Sequence, residues 1–167
     1  TLGSIKRGLI GLAHNTFEQV PAIPSGLTRT SIGQSIQEHD ICVHTTGSGG
    51  PHYLFVGGMH GNEVGTVKLM HHLLDWLNQH QGTLNARCSV IPCLNPDGFG
   101  QALEQPQYFD GGRVGRLNAN DVDLNRNFDT PSWQPKANWN HGKEYLDTTV
   151  VSAGSSAGSE PETKAGT

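Results

Sequence analysis

His60 and Glu63 stand three residues apart in the segment Gly57-Gly58-Met59-His60-Gly61-Asn62-Glu63. Imidazole nitrogen and carboxylate oxygen are both good donors to Zn²⁺, at about 2.0–2.2 Å. A His and a Glu at this spacing, set on a strand-to-helix turn, can point at one ion, and the glycines around them let the backbone turn tightly beneath it. The spacing alone does not discriminate, because His141 and Glu144 repeat it. What separates the two pairs is context. An apolar run precedes His60 and an amphipathic helix follows Glu63, whereas His141 and Glu144 have neither and read as loop decoration. His71 and His72 lie about two helical turns beyond Glu63 and read as surface or interfacial histidines. His14, His39, His44, His52 and His80 show no partner pattern.

A second constellation runs from Arg116 to Phe128, Arg-Leu-Asn-Ala-Asn-Asp-Val-Asp-Leu-Asn-Arg-Asn-Phe. Arginine is a planar fork of five donors that stays charged, and with asparagine it suits a site that grips carboxylates and amides. A second reading stays open on these residues: Arg126 could pair with Asp123 or Asp129 at the surface.

These side chains need elements to position them. Residues 40–46 read as a strand closed by a Gly-Ser-Gly-Gly-Pro turn. Residues 53–56, Tyr-Leu-Phe-Val, read as a short buried strand. Over residues 64–78, Val64, Val67, Leu69, Met70, Leu73, Leu74 and Leu77 recur at three- and four-residue spacing, an amphipathic helix of about four turns. Residues 87–94 read as another strand, and Asn95-Pro96-Asp97-Gly98 as a turn. Strand, helix and strand within this length make a βαβ unit, hence a parallel or mixed sheet covered by helices. Residues 1–38 have no firm period, and residues 99–158 are rich in Gly, Asn, Pro and Trp with little periodicity, a stretch expected to be functional or disordered. At Gly158-Ser159-Glu160-Pro161-Glu162-Thr163 a helix starts, with Ser159 as N-cap, Glu162 closing a capping box and Pro161 in the first turn.

The 167 residues fit one domain, and a net charge of −4 argues against a nucleic-acid or anionic-membrane partner. No apolar run approaches the ~18 residues that span a bilayer. The segment Thr1 to Asn15 is no convincing signal peptide, since its apolar stretch is short and Gly-rich. Cys42, Cys88 and Cys93 read as free thiols, which leans towards the cytoplasm, the periplasm or secretion being the alternatives.

Taken in order, the His60/Glu63 turn, Asn95-Pro96-Asp97-Gly98, Val122-Asp-Leu-Asn-Arg-Asn-Phe128 and the Gly158–Thr163 segment resemble the zinc carboxypeptidases of the carboxypeptidase A clan. The compact block from Arg116 to Phe128 is most similar to bacterial murein peptide amidases. The resemblance implies a three-layer α/β/α fold on a mixed, mostly parallel sheet, here C-terminally incomplete. It divides the single domain, 1–167, into an N-terminal segment (1–38), a βαβ metal-site unit (39–98), a loop-rich substrate-binding segment (99–158) and a helix start (159–167). It implies that His60 and Glu63 bind Zn²⁺, that Arg116 polarises the scissile carbonyl, and that Asn125 and Arg126 hold the carboxylate of a peptide substrate. The implied reaction is hydrolysis of an amide bond next to a free carboxylate, with a γ-D-glutamyl-diaminopimelate murein peptide as the expected substrate. A general zinc carboxypeptidase, an N-acyl amino acid deacylase and a non-catalytic peptide-binding module are the alternatives. Asp121 stands where the family often has Gly, a minor departure because Asp tolerates the left-handed conformation. The family's third ligand His, substrate-contacting Tyr and catalytic Glu have no counterpart here. Two ligands without a general base are expected to bind metal weakly and to leave the chain alone inactive.

Overall fold

The computed structural model describes residues 21–105, 112–140 and 148–167. Its main sheet has four strands, β1 (Thr28–Gln34), β2 (Asp40–Thr46), β3 (His52–Val56) and β4 (Arg87–Ile91), in the order β1-β2-β4-β3. β1 and β2, and β2 and β4, pair antiparallel, while β3 and β4 pair parallel from His52↔Arg87 to Val56↔Ile91. The parallel pair brackets helix α1 (Val64–Gln79), so the expected βαβ unit is present in a mixed sheet.

The pleat explains the layering. In α1 the buried residues Val67, Met70, Leu74 and Leu77 repeat at helical spacing. Met70, Leu74 and Leu77 cluster with Cys88 and Val90, alternate residues of β4, and with Leu27. The other face of the sheet carries Ile41 of β2 and Ile91 of β4, which pack with Leu94, Phe128 and Ala165. Ala165 belongs to the short helix α3 (Pro161–Ala165), so helices cover both faces. The three cysteines are free thiols, and burial pushes the Cys93 thiol up to about 12. No described helix is long and apolar enough to cross a membrane.

Four expectations change. The apolar strand β3 is not buried: it forms one edge of the described sheet, with Tyr53 and Leu54 about half exposed (51% and 52%). The Asn95-Pro96-Asp97-Gly98 segment is not a turn but the start of helix α2 (Pro96–Glu104). Asn95 is its N-cap, with Oδ1 accepting from the Gly98 N–H at 2.9 Å, and Pro96 occupies the first turn. The stretch beyond residue 99 also forms a two-stranded antiparallel sheet of β5 (Lys136–Asn140) and β6 (Thr148–Ser152). Finally, the N-cap of α3 is Glu160 and no capping box forms. Ser159 Oγ donates to Glu160 Oε1 at 2.7 Å, and Glu162 turns inward to accept from Asn118 and the Ile36 N–H. His141 and Glu144 lie outside the described residues.

Candidate metal centre

β3 delivers the chain into a bend clamped against the end of β4. The N–H of Gly57 donates to Ile91 O, and the N–H groups of Leu94 and Asn95 donate to Gly57 O and Gly58 O. Gly58 has φ +58°, and a Cβ there would press on Cys93 and Val67. The turn closes when the Glu63 N–H donates to His60 O at 3.1 Å. Thr66 Oγ1 accepts from the Gly58 N–H and donates to Glu63 O, tying the turn to the first residues of α1. Glu63 is the N-cap of α1, but its carboxylate caps nothing and reaches His60 instead.

His60 is buried, and its two nitrogens face different carboxylates. Nε2 lies 3.0 Å from Asp123 Oδ1, and Nδ1 lies 3.0 Å from Glu63 Oε1 and 3.3 Å from Arg116 Nη1. Asp123 has no exposed surface. Its Oδ2 accepts from Arg116 Nε at 3.2 Å and Nη2 at 2.8 Å, and Oδ1 also accepts from the Asn125 N–H at 3.0 Å. Burial alone would raise the Asp123 pKa. The hydrogen bond from His60 and the Arg116 charge outweigh it and hold the carboxyl below its ordinary value. Asp123 is therefore an acceptor only, and His60 Nε2 carries the proton. In the neutral imidazole Nδ1 is then a lone pair, turned towards the oxygen of Glu63.

Two lone pairs 3.0 Å apart repel unless a cation or proton lies between them. Their separation is close to the edge of about 3.4 Å that two donors of a tetrahedral zinc site would span at bond lengths of ~2.0–2.2 Å. The donor chemistry and orientation of His60 and Glu63 thus fit a zinc ion. Asp123 faces the opposite ring nitrogen, so in such a site it would orient His60 rather than bind the ion itself. Among the described residues no group of three or more His, Cys, Asp and Glu is gathered around one metal position.

Arg116 is fixed on three sides. Besides the two bonds to Asp123, its guanidinium carbon lies 4.3 Å from the centroid of the Trp139 ring in β5. Its remaining Nη1 points to the metal side of His60. Asn125 and Arg126 follow Asp123 on a 3-10 turn, Leu124–Arg126. Their side chains do not join His60 and Glu63. They line a neighbouring cleft of about 450 Å³, with Phe128, Trp133, Lys136 and Asn138. The surface pairing of Arg126 with Asp123 does not occur, since Asp123 is engaged by Arg116, and Arg126 Nη1 donates to Asn125 O at 3.1 Å.

Two residues of the site escaped the sequence reading. Asp123 entered only as a surface partner for Arg126, although an acid set between Val122 and Leu124 is a signal of a buried, paired carboxylate. Trp139 had no signal beyond being a large ring in a polar stretch.

The sequence model of the zinc carboxypeptidase family, peptidase M14, matches residues 15–167. Among curated relatives, the carboxypeptidase N catalytic chain of Mus musculus is 42% identical over 87 residues, 47% of this chain and 19% of that protein. Carboxypeptidase D of Anas platyrhynchos is 33% identical over 120 residues, 63% of this chain and 8% of that protein. Among solved structures, murein-tripeptide amidase MpaA from Escherichia coli O157 superposes with a TM-score of 0.63 at 26% identity, covering 89% of this chain and 56% of that one. Bovine thrombin-activatable fibrinolysis inhibitor shares the fold at a TM-score of 0.65 and 17% identity, covering 96% of this chain and 53% of that one. The chain thus spans about half the length of these structures and less than a fifth of these curated relatives. The family match takes in the His60 turn, the Arg116–Phe128 block and α3 together, and the chain belongs to the zinc carboxypeptidase family.

Proposed function

We propose that the protein is a zinc-dependent metallocarboxypeptidase that hydrolyses an amide bond next to a free carboxylate, with a murein γ-D-glutamyl-diaminopimelate peptide as its substrate. The observation that carries the metal assignment is the orientation of His60, whose Nδ1 is presented to Glu63 Oε1 because Asp123 occupies Nε2. When bound, zinc supplies a Lewis acid for the scissile carbonyl and lowers the pKa of a coordinated water. Arg116 keeps Nη1 on that side, where its N–H can donate to the carbonyl oxygen as negative charge develops there. Nε and Nη2 each donate to Asp123, so the guanidinium is held in place before substrate arrives. Asn125, with its side chain open to the cleft, and Arg126 would hold the free carboxylate and so fix which bond meets the metal. Support for the murein substrate comes from the likeness to the MpaA amidase. A second reading, hydrolysis of ordinary C-terminal residues, is favoured by the carboxypeptidase N and D relatives.

Zinc titration by equilibrium dialysis tests the metal assignment. His60→Ala and Glu63→Ala are each expected to weaken zinc binding by about tenfold or more; equal binding by His60→Ala would refute it. Calorimetry with a γ-D-glutamyl-diaminopimelate peptide and an α-linked dipeptide, each as free acid and as C-terminal amide, separates the two substrate readings. Tighter binding of the γ-linked acid supports the murein assignment, and tighter binding of the α-linked acid supports the second reading. If amides bind as well as acids, the carboxylate clamp at Arg126 is wrong.

A further inference from the structure

Strand β5 presents different residues to two sites. Trp139 is buried against Leu117 and Val151 and stacks on Arg116, which places one side of the strand on the metal centre. Lys136 and Asn138 are exposed and line the cleft that Asn125 and Arg126 enter. The Lys136 ammonium has no hydrogen bond or ion pair with any described residue, and its cross-strand neighbour is the uncharged Ser152. Arg126 uses one N–H on the carbonyl of Asn125. By contrast Arg29, Arg113 and Arg116 each have a carboxylate within 3.8 Å. None of the ten described residues lining the cleft is Asp or Glu. Among the described residues, the cleft therefore holds two positive charges with no carboxylate partner, in a protein whose net charge is −4.

Two such charges in a concave, aromatic-walled site attract anions more strongly than either would on an open surface. Arginine and lysine also divide the task. The guanidinium fork suits one carboxylate in bidentate fashion, and the ammonium is a point charge that suits a second. A substrate with a single carboxylate would occupy Arg126 and leave Lys136 unmatched. We infer that the cleft selects peptides with two carboxylates near the cleaved end, the second one held by Lys136. This rests on reading Asn125 and Arg126 as the clamp for the free carboxylate. The second carboxylate can be an acidic side chain, or the α-carboxylate that a γ-glutamyl link leaves free.

The test is binding to the full chain, read by calorimetry and by the fluorescence of Trp133 in the cleft wall. The probes are N-acetyl-Ala-Glu against N-acetyl-Ala-Gln, and γ-glutamyl-Ala against the same peptide with its γ-glutamyl α-carboxylate amidated. The wild type is expected to favour at least one dicarboxylate over its amide partner by about three- to fivefold, and the favoured pair names the source of the second charge. Lys136→Gln should bring that ratio to about one, weakening the dicarboxylate more than the monocarboxylate, Lys136→Arg should keep it, and about 1 M salt should erase it. A ratio near one in the wild type for both pairs, or one unchanged by Lys136→Gln, overturns the inference. So does failure of the wild type to bind any probe. Amidating the terminal carboxylate of N-acetyl-Ala-Glu tests the clamp separately: if binding survives that change while the Lys136 effect remains, the clamp reading fails and the second site stands.

Discussion

Asp123 and His60 are joined Oδ1 to Nε2 at 3.0 Å, and the same carboxylate holds Arg116 through Oδ2 at 2.8 Å. One buried acid thus sets the ring orientation of the candidate metal donor His60 and the position of the Arg116 cation. An Asn at 123 has only one accepting atom for these two donors, so its amide N–H₂ must face His60 or Arg116. Asp123→Asn is expected to weaken zinc binding about 10–100-fold in a chelator competition. Asp123→Ala leaves the Arg116 charge buried and unpaired, and should lower unfolding free energy by about 3–5 kcal/mol in urea titrations. If both variants match the wild type, the orienting role is wrong.

Glu160 and Glu162 share one donor, Asn118 Nδ2, at 2.8 and 3.0 Å, yet their pKa values move apart. Burial would raise Glu160, but hydrogen bonds from Ser159, Asn118 and Asn120 and the charge of Lys164 hold it below its ordinary value. For Glu162 burial wins, helped by the charge of Asp97, and the pKa is raised. The folded state therefore binds a proton at Glu162 more tightly than the unfolded chain does. As pH falls from 7 through that raised pKa, Glu162 should add stability. The Glu160 contribution is present above the ordinary carboxylate pKa and is lost as pH falls below it, through the depressed folded value. Urea midpoints should rise on mild acidification and then fall, and Glu162→Gln should remove the rise alone. A midpoint that declines steadily from pH 7 in the wild type contradicts this assignment.

The turn between the candidate metal donors His60 and Glu63 depends on Gly61, where a Cβ would overlap the backbone of Gly98 and Phe99 in α2. Backbone cannot move aside as a side chain can. Gly61→Ala should cost at least the ~1–3 kcal/mol typical of overpacking and should also weaken zinc binding. Gly65, in α1, is the control: a Cβ there meets nothing within 4 Å. Gly65→Ala should stabilise the helix by roughly 0.5–1 kcal/mol, with zinc binding unchanged. Thermal melts and dialysis on both variants decide the matter, and a neutral Gly61→Ala would show that the turn is not under this constraint.

How much of this was legible beforehand follows from the range of each interaction. Helix α1 was readable because Val67, Met70, Leu74 and Leu77 write the buried face directly into the chain. The run at β3 misleads because four apolar residues in a row suggest two covered faces, and nothing local says that the strand stands at an edge. Helix α2 was hidden by Gly98 and Gly100, poor helix formers. Gly98 is needed because a Cβ there would crowd Gly115 O and Leu117 O, a contact across the fold. At the candidate metal centre the turn carrying His60 and Glu63 is local and stands out in the sequence. Asp123, 63 residues from His60, acquires its role only by folding, as does Trp139.

Trp139 and Arg116 offer a direct measure of such a non-local contact. The ring centroid and guanidinium carbon are 4.3 Å apart, and both residues are largely removed from solvent. Cation–π contacts in desolvated settings contribute up to about 2 kcal/mol. Trp139→Leu and Arg116→Met each disturb more than this contact, the first by leaving space beside Leu117 and Val151, the second by stranding Asp123. A double-mutant cycle removes those separate costs. The coupling between the two sites should be about 0.5–2 kcal/mol and favourable, measured by urea unfolding of the wild type, both single variants and the double variant. Additivity within about 0.3 kcal/mol would mean that Trp139 only fills space, and that Asp123 alone holds the arginine facing His60.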